Sequence, residues 1–220
     1  MPFLNPLKAL AALALTALLA GCVTPQPYDY SAFKESSPAS ILVLPPVNKS
    51  PDVKASHSVY SHITLPLSEA GYYVLPVAVV DETFKQNGLM NAEEIREVSP
   101  KKLHEIFAAD TVLYIDVTEY GSSYMIISSE VAVSATATLV DLRSGKELWK
   151  GTARASTAEQ QQNSGGGLAG ILITALVNQV VNTLSDRGHE IAGIASHRLL
   201  SSNAVNGILP GPRARPTTPR

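Results

Sequence analysis

The chain contains one cysteine and five histidines, and these residue types bind metals or attack substrates most readily. His57 and His62 are five positions apart, which places them about 140° apart around a helix, so they do not share a face. His189 and His197 project closer in angle but lie two helical turns apart. The histidine spacing therefore predicts no metal site.

The carboxylates and glycines also form no catalytic pattern. The glutamates within residues 93–97 are typical of a solvated helix face, and Asp116 and Glu119 are expected on opposite faces of one strand. The glycines of residues 165–167 precede a helix but lack the Gly-Lys-Ser/Thr of a phosphate loop, and no G-x-S-x-G motif is present. We therefore expect a protein that is not an enzyme and holds no metal and no cofactor.

The single cysteine, Cys22, ends an apolar run near the amino terminus. Lys8 is followed by an uncharged stretch from Ala9 to Ala20, which has the length and flanks of a secretory signal and is too short to span a bilayer. Residues 1–21 are therefore predicted to be a targeting segment that is removed. The alternative is a buried cysteine in an amino-terminal helix.

The residues around the cysteine, Leu19-Ala20-Gly21-Cys22, resemble the lipobox of bacterial lipoproteins. This resemblance implies that the Cys22 thiol is acylated and that cleavage leaves Cys22 as the first residue. Each buried methylene of an acyl chain contributes about 0.8 kcal/mol, so several chains hold a protein on a membrane durably. Because Val23 and not aspartate follows, the resemblance further implies an outer-membrane, lipid-anchored protein, which we expect to face the periplasm.

Composition limits the partners and the architecture. The 17 basic and 19 acidic residues nearly balance, so charge gives no reason to expect nucleic-acid binding. With one cysteine the chain forms no internal disulfide, and its 45% hydrophobic content suffices for one core. Stability must therefore come from burial.

The pattern divides the mature chain into three parts. Residues 22–40 are rich in proline and serine and are predicted to be a lipidated tether, although Tyr28, Tyr30 and Phe33 are candidates for docking on the domain. Residues 41–200 are predicted to form a single domain. Residues 201–220 have the proline content and low hydrophobicity of a disordered tail.

The domain is predicted to be α/β, a mixed sheet with a carboxy-terminal antiparallel meander and helices packed mainly on one face. Residues 41–47 form a continuous apolar run that is typical of a buried strand, and a second strand is expected at 72–77. Alternating residues between 111 and 156 predict the meander. Helices are predicted at 55–70, 78–87, 91–97, 101–108 and about 190–200.

Leu168 to Leu184 is the most apolar stretch of the mature chain. Thr174, Asn178 and Asn182 recur every four residues and form one polar stripe, which is costly in lipid, so we favour a core or subunit-interface helix over a membrane-inserted one. The chain is predicted to be a homo-oligomer, a dimer joined through this helix. The predicted interface residues are Ile171, Leu172, Ala175, Leu176, Asn178, Val180 and Asn182.

Three segments together resemble a known superfamily: "ILVLPPVNKS" after the tether, "GYYVLP" after a helix, and the hairpin "LVDLRSGKELWKG", whose core runs from Asp141 to Trp149. The superfamily contains the curli secretion channel lipoprotein, the penicillin-binding-protein activator lipoproteins and the amino-terminal domain of the Tol periplasmic protein. Within it, the chain is similar to a lipoprotein family of Gram-negative bacteria. The resemblance covers about residues 40–200 and carries over no functional residue except Cys22.

The resemblance implies a non-catalytic, lipid-anchored module that interacts with or assembles an envelope protein complex, with another envelope protein as partner. Two alternatives stay open. The long strand-like stretch from Tyr124 to Val140 is compatible with an oligomeric secretion-channel subunit, although small residues lie on both of its faces. Excess apolar surface on the 168–184 helix is compatible with a carrier of an apolar ligand.

Overall fold

A computed structural model describes residues 27–124, 129–159 and 184–215. The strands within these ranges are β1 (Ser40–Val43), β2 (Val47–Asn48), β3 (Tyr73–Val74), β4 (Thr111–Tyr124), β5 (Ser129–Asp141) and β6 (Glu147–Ser156). The helices are α1 (Ser31–Ser36), α2 (Ala55–His62), α3 (Thr64–Glu69), α4 (Val77–Gln86), α5 (Ala92–Arg96), α6 (Pro100–Phe107) and α7 (Leu184–Leu200).

The strands form one mixed sheet in the order β3-β1-β4-β5-β6, with β2 paired to the outer part of β4. β1 runs parallel to β3 and to β4, while β4, β5 and β6 form an antiparallel meander. The predicted α/β fold, with its mixed sheet and closing meander, is confirmed. The central position of β1 explains its unbroken apolar sequence, because Ile41, Leu42 and Val43 are fully buried on both faces.

The sheet separates two apolar clusters. The larger cluster joins the inner face of the meander to α2, α3 and α7, and includes Val59, Leu113 and Ile191. The smaller cluster, on the other face of β1 and β4, packs α4, α5 and α6 through residues such as Phe84 and Leu103. The smaller cluster covers the outer face of the meander only near Val112, Tyr114 and Val140.

Trp149 organises the β6 side of the larger cluster. Its side chain is 1% exposed and lies over the backbone of Gly151, where a Cβ atom would lie 2.4 Å from the ring. Its indole N–H donates to the Asn206 carbonyl at 2.9 Å. A glycine two residues after the tryptophan is therefore needed for the ring to lie along the strand.

A β-bulge changes the face on which one carboxylate lies. The pairing of β4 with β5 shifts between Val117 and Glu119, so Thr118 is the extra residue. Val117 and Tyr120 both belong to the inner cluster, which places Glu119 on the outer face together with Asp116. The expectation that Asp116 and Glu119 lie on opposite faces was wrong, because alternation resets at a bulge.

Both ends of the domain are more ordered than the sequence predicts. Within the range expected to be a tether, residues 31–36 form α1, and Phe33 is 3% exposed. Within the range expected to be a disordered tail, Ile208 is fully buried and the Tyr72 hydroxyl donates to the Leu209 carbonyl. The expectation of disorder was wrong around Ile208 and Leu209, because these side chains pack against the core, whereas Val205 is 82% exposed.

The two terminal segments also bind each other, and we call residues 28–36 and 206–214 together the terminal clasp. The Tyr28 N–H donates to Asn206 Oδ1 at 3.1 Å, and the Tyr30 hydroxyl donates to the Gly207 carbonyl. Further along, the Gly211 N–H donates to the Ala70 carbonyl at 2.7 Å. Docking of Tyr28, Tyr30 and Phe33 on the domain is confirmed.

None of the helices in the described ranges is long and apolar enough to cross a membrane. The segment 168–184, predicted to be an apolar helix, lies outside those ranges apart from Leu184, where α7 begins.

Candidate functional site

The predicted lipidation site and the predicted interface residues lie outside the described ranges. Cys22 precedes residue 27, and the seven predicted interface residues, from Ile171 to Asn182, fall in the 160–183 gap. Lipidation of Cys22 and the oligomer interface therefore stay predictions. The described residues offer three other candidate sites.

The first candidate is a group of hydroxyl side chains on the outer face of the meander, which we call the polar sheet face. The side chains lie on three adjacent strands and alternate with the buried residues of the inner cluster: Thr118, Ser134, Thr136, Thr138 and Thr152. The Thr136 and Thr152 hydroxyl oxygens lie 3.2 Å apart across β5 and β6. These hydroxyls can donate and accept hydrogen bonds, and they are exposed or half-buried in the part of the chain that the structure describes.

Arg154 lies on the same face and links three carboxylates. Its guanidinium donates to Glu119 at 3.0 Å and to Glu130 at 2.8 Å, and lies 4.0 Å from Glu159. Hydrogen bonding from Arg154 holds the pKa of Glu119 below its ordinary value. Because the Arg154 side chain is 42% exposed, water and salt screen these pairs strongly, and the network orients side chains more than it stabilises the fold.

A second charged group lies where α5 meets β4. The Arg96 guanidinium donates to both oxygens of Asp116, at 2.7 and 3.3 Å, and its carbon lies 5.3 Å from the centre of the Tyr114 ring. Lys49 approaches the same carboxylate at 3.3 Å. Asp116 therefore fixes α5 and the loop after β2 to the sheet.

The third candidate is the histidine cluster, formed by Ser58, His62, Tyr120 and His189. The His62 and His189 rings lie 4.3 Å apart between their centres, with a 41° angle between their planes. The Ser58 Oγ lies 2.9 Å from His189 Nδ1, and the Tyr120 hydroxyl is hydrogen-bonded to Ser58. The cluster joins α2, β4 and the first turns of α7.

Two glycines of α7 allow this helix to pack closely against Tyr120 and His62. A Cβ atom at Gly188 would lie 3.0 Å from the Tyr120 hydroxyl, and one at Gly193 would lie 3.3 Å from the His62 ring. Both distances are shorter than ordinary van der Waals contact. The small residues therefore allow α7 to approach the aromatic rings.

The surroundings of His62 favour the neutral form of its ring. Burial, and then the charge of His189, lower the pKa of His62 below its ordinary value of 6.5. The His62 Nε2 atom is buried and has no hydrogen-bond partner among the described residues. A proton added to His62 would therefore place a charge where nothing in the described part of the fold pairs with it.

A serine within hydrogen-bond reach of a histidine is also the arrangement of an activated nucleophile. Ser58, however, is 7% exposed and its hydroxyl is held by both His189 and Tyr120, so a substrate carbonyl has no approach to it. Among the described residues, no group of three or more metal-ligating side chains comes together. The cluster is therefore a packing contact between helices.

The sequence did not predict the pairing of His62 with His189. Helical spacing relates only residues of one helix, such as His57 with His62 and His189 with His197. In the fold, His197 instead lies 3.8 Å from Glu69, on α3. Contacts between residues this far apart in sequence leave no local pattern. Gly188 and Gly193 within the helical pattern are a sequence signal for a close approach to α7.

The mixed sheet, the closing hairpin and the amino-terminal cysteine after an apolar run are together the organisation of an envelope lipoprotein domain. The chain belongs to the family described as "Putative lipoprotein GNA1162-like", whose model matches residues 28–213. The matched region includes residues 28–36 and 206–213 of the terminal clasp. The resemblance to a lipoprotein family that was drawn from the sequence is confirmed.

Relatives of this chain include a lipoprotein of Neisseria meningitidis serogroup B, named "Putative lipoprotein NMB1124/NMB1162", which is 57% identical over 201 residues, 91% of this chain and 93% of the relative. The crystal structure of lipoprotein GNA1162 from Neisseria meningitidis is 56% identical, with a TM-score of 0.52 over 66% of this chain and all of that one. The PelC dodecamer from Paraburkholderia phytofirmans is 16% identical, with a TM-score of 0.40 over 73% of this chain and 88% of that one.

Proposed function

We propose that this protein is a non-catalytic, lipid-anchored envelope module, held at the outer membrane through acylated Cys22 and facing the periplasm, which binds a second copy of itself and another envelope protein. Family membership supports the lipoprotein part of this proposal. The polar sheet face offers hydroxyl side chains for contact with a protein partner.

The observation that carries the proposal is the position of the described residues on either side of the 160–183 gap. Just before the 160–183 gap, the Thr157 hydroxyl oxygen accepts from the Val131 N–H at 3.1 Å, and Glu159 pairs with Arg198. Just after the gap, Gly188 lies against Tyr120. The described residues on both sides of the 160–183 gap therefore lie near the outer half of β4.

The attachment of the amino terminus lies elsewhere. The Tyr28 N–H donates to Asn206 Oδ1, and the Asn206 carbonyl accepts from Trp149 on β6. The next residue, Lys150, is aligned with Thr138 and Tyr114 in the sheet. Along β4, Tyr114 and Gly121 are seven residues apart, which corresponds to about 20 Å. The chain that leads to the predicted interface segment and the chain that leads to the lipid anchor thus leave the domain at positions about 20 Å apart along the strands. Association through the segment and anchoring at the membrane are therefore compatible.

Oligomerisation through the 168–184 segment is tested by Leu176→Asp and Val180→Asp in the domain without its lipid. We expect a folded monomer, because a charge buried at an interface disfavours association. Val79→Asp is the matched control, since Val79 is 61% exposed on α4. Light scattering gives the mass and circular dichroism the fold; an unchanged mass contradicts the interface, and a lost fold assigns the segment to the core.

Lipid anchoring is tested by Cys22→Ser. We expect the variant to keep the fold but lose incorporation of a clickable fatty acid, because the thiol is the acceptor. Label retained on the serine variant contradicts the anchor.

The partner is tested by photo-crosslinking in intact envelopes from position 136 on the polar sheet face, with position 79 as the control. A protein recovered from position 136 and not from position 79 supports the module. Recovery of no protein from position 136 argues against it.

A secretion-channel subunit is less well supported. The apolar residues of β5, including Val133, Ala135 and Leu139, are buried against the helices of the domain and are not available to face lipid. Conductance measurements with the purified lipoprotein test this alternative, and a carrier of an apolar ligand is tested by native mass spectrometry of the delipidated domain.

A further inference from the structure

The terminal clasp determines how far the domain lies from its anchor. The Tyr28 N–H donates to Asn206 Oδ1, and the Asn206 carbonyl accepts from the indole N–H of Trp149 on β6, next to Lys150. Tyr30 and Phe33 add contacts with Gly207 and the buried cluster. The folded domain therefore begins at residue 28, and not at residue 41.

Only a short stretch of chain then separates the fold from Cys22. Six residue steps lead from Cys22 to Tyr28, and a fully extended chain covers at most about 22 Å over that length. The 18 steps from Cys22 to Ser40 would cover about three times that distance if the clasp were open.

We infer that the terminal clasp holds Tyr28, which lies beside the β6 edge, within about 22 Å of Cys22 at the bilayer surface, so that Lys150 is membrane-proximal and the loop at Val53 is membrane-distal. This inference rests on the proposed lipid anchor at Cys22. Val53 follows Asp52, whose carboxylate lies 3.7 Å from the Cβ position of Gly121, on the far part of β4.

The clasp has a consequence for the partner. A chain of this size folds to a radius of gyration of about 16 Å, which corresponds to a domain about 40 Å across. With the short tether, every surface of the domain lies within roughly 60 Å of the lipid. A partner must therefore present its binding surface close to the same membrane.

The experiment uses the full acylated protein in nanodiscs that contain a phospholipid with a nitroxide on its headgroup. Acylated Cys22 has no free thiol, so Lys150→Cys and Val53→Cys each provide one site for a fluorophore. Both side chains are exposed, and Val53 is 84% exposed. We expect quenching at position 150 to be at least about twofold stronger than at position 53, because the two levels of the sheet differ by about 20 Å.

A matched variant lengthens the tether without touching the fold. Twenty glycine and serine residues inserted after Thr24 add a root-mean-square span of about 25 Å, so quenching at position 150 should fall towards that at position 53. Circular dichroism verifies that the inserted variant keeps its fold.

Equal quenching at the two positions, or quenching at position 150 that is unaffected by the insertion, would overturn the inference. Intact mass of the amino-terminal peptide separates this failure from failure of the anchor. Acylated protein with equal quenching overturns the inference alone, whereas a peptide without acyl chains overturns the proposed anchor and the inference with it.

Discussion

His62 on α2 and His189 on α7 lie with their ring centres 4.3 Å apart and their planes 41° apart, so two imidazole rings face each other across a helix contact. Tyr120 and Asp52 are the other ionisable residues near this contact, and Ser58 bonds His189. Burial, and then the charge of His189, lower the pKa of His62, so the contact favours the neutral form of the His62 ring.

The first prediction concerns pH. Because the pKa of His62 is lowered in the folded state, the unfolded chain takes up the proton first as the pH falls through about 6.5. The free energy of unfolding should therefore decrease from pH 7 towards pH 5. Urea unfolding followed by circular dichroism at each pH measures this decrease.

Two variants separate His62 from the other groups. His62→Phe should flatten the profile between pH 7 and pH 5, while His57→Gln, at an exposed position, should leave it unchanged. The carboxylates with lowered pKa, such as Glu119 and Asp141, lose their stabilising contribution only at pH values below this window. A profile that is equally steep in His62→Phe would contradict the assignment.

The second prediction concerns the terminal clasp. Ile208→Asp should destabilise the domain by about 3 kcal/mol or more, because the residue is fully buried and the new carboxylate has no partner. Val205→Asp, three residues earlier at a position that is 82% exposed, should change the free energy of unfolding by less than about 0.5 kcal/mol. Equal, small effects in both variants would mean that residues 206–214 do not pack in solution.

The third prediction concerns Gly151. Gly151→Ala should cost about 1 to 3 kcal/mol, because its Cβ atom would lie 2.4 Å from the Trp149 ring and force the indole to move. The tryptophan is the only one in the chain, so its fluorescence maximum should shift to longer wavelength in the folded variant. Thr152→Ala, at the next, exposed position, is the control, and an unshifted spectrum in Gly151→Ala would argue against this contact.

The fourth prediction concerns Arg154. Arg154→Gln should change the free energy of unfolding by no more than about 1 kcal/mol despite the loss of several ion pairs, because the side chain is largely solvated. The difference from the unmodified protein should shrink further in 1 M salt. A loss of several kcal/mol that persists in high salt would mean that the network is buried in the native state.

The sequence by itself determined the elements whose signals are local. The apolar run at Ile41 to Val43 predicts a strand buried on both faces, alternation predicts the meander, and Ser99 before Pro100 marks the start of α6, where the Ser99 hydroxyl accepts from the Lys102 N–H. These patterns are readable because neighbouring residues share one strand or one helix turn. The predicted processing site at Cys22 rests on a local signal in the same sense.

Only the tertiary structure decided the contacts between distant parts of the chain. Ser58 and His189 are 131 positions apart, and nothing in either neighbourhood indicates that they meet. The bulge at Thr118 moved Glu119 to the outer face, because pairing with β5 and not the periodicity of β4 sets the register. Residues 28–36 and 206–214 are too short to order alone, and they become ordered because Tyr72, Trp149 and the sheet supply the apolar surface and the hydrogen-bond donors that they need.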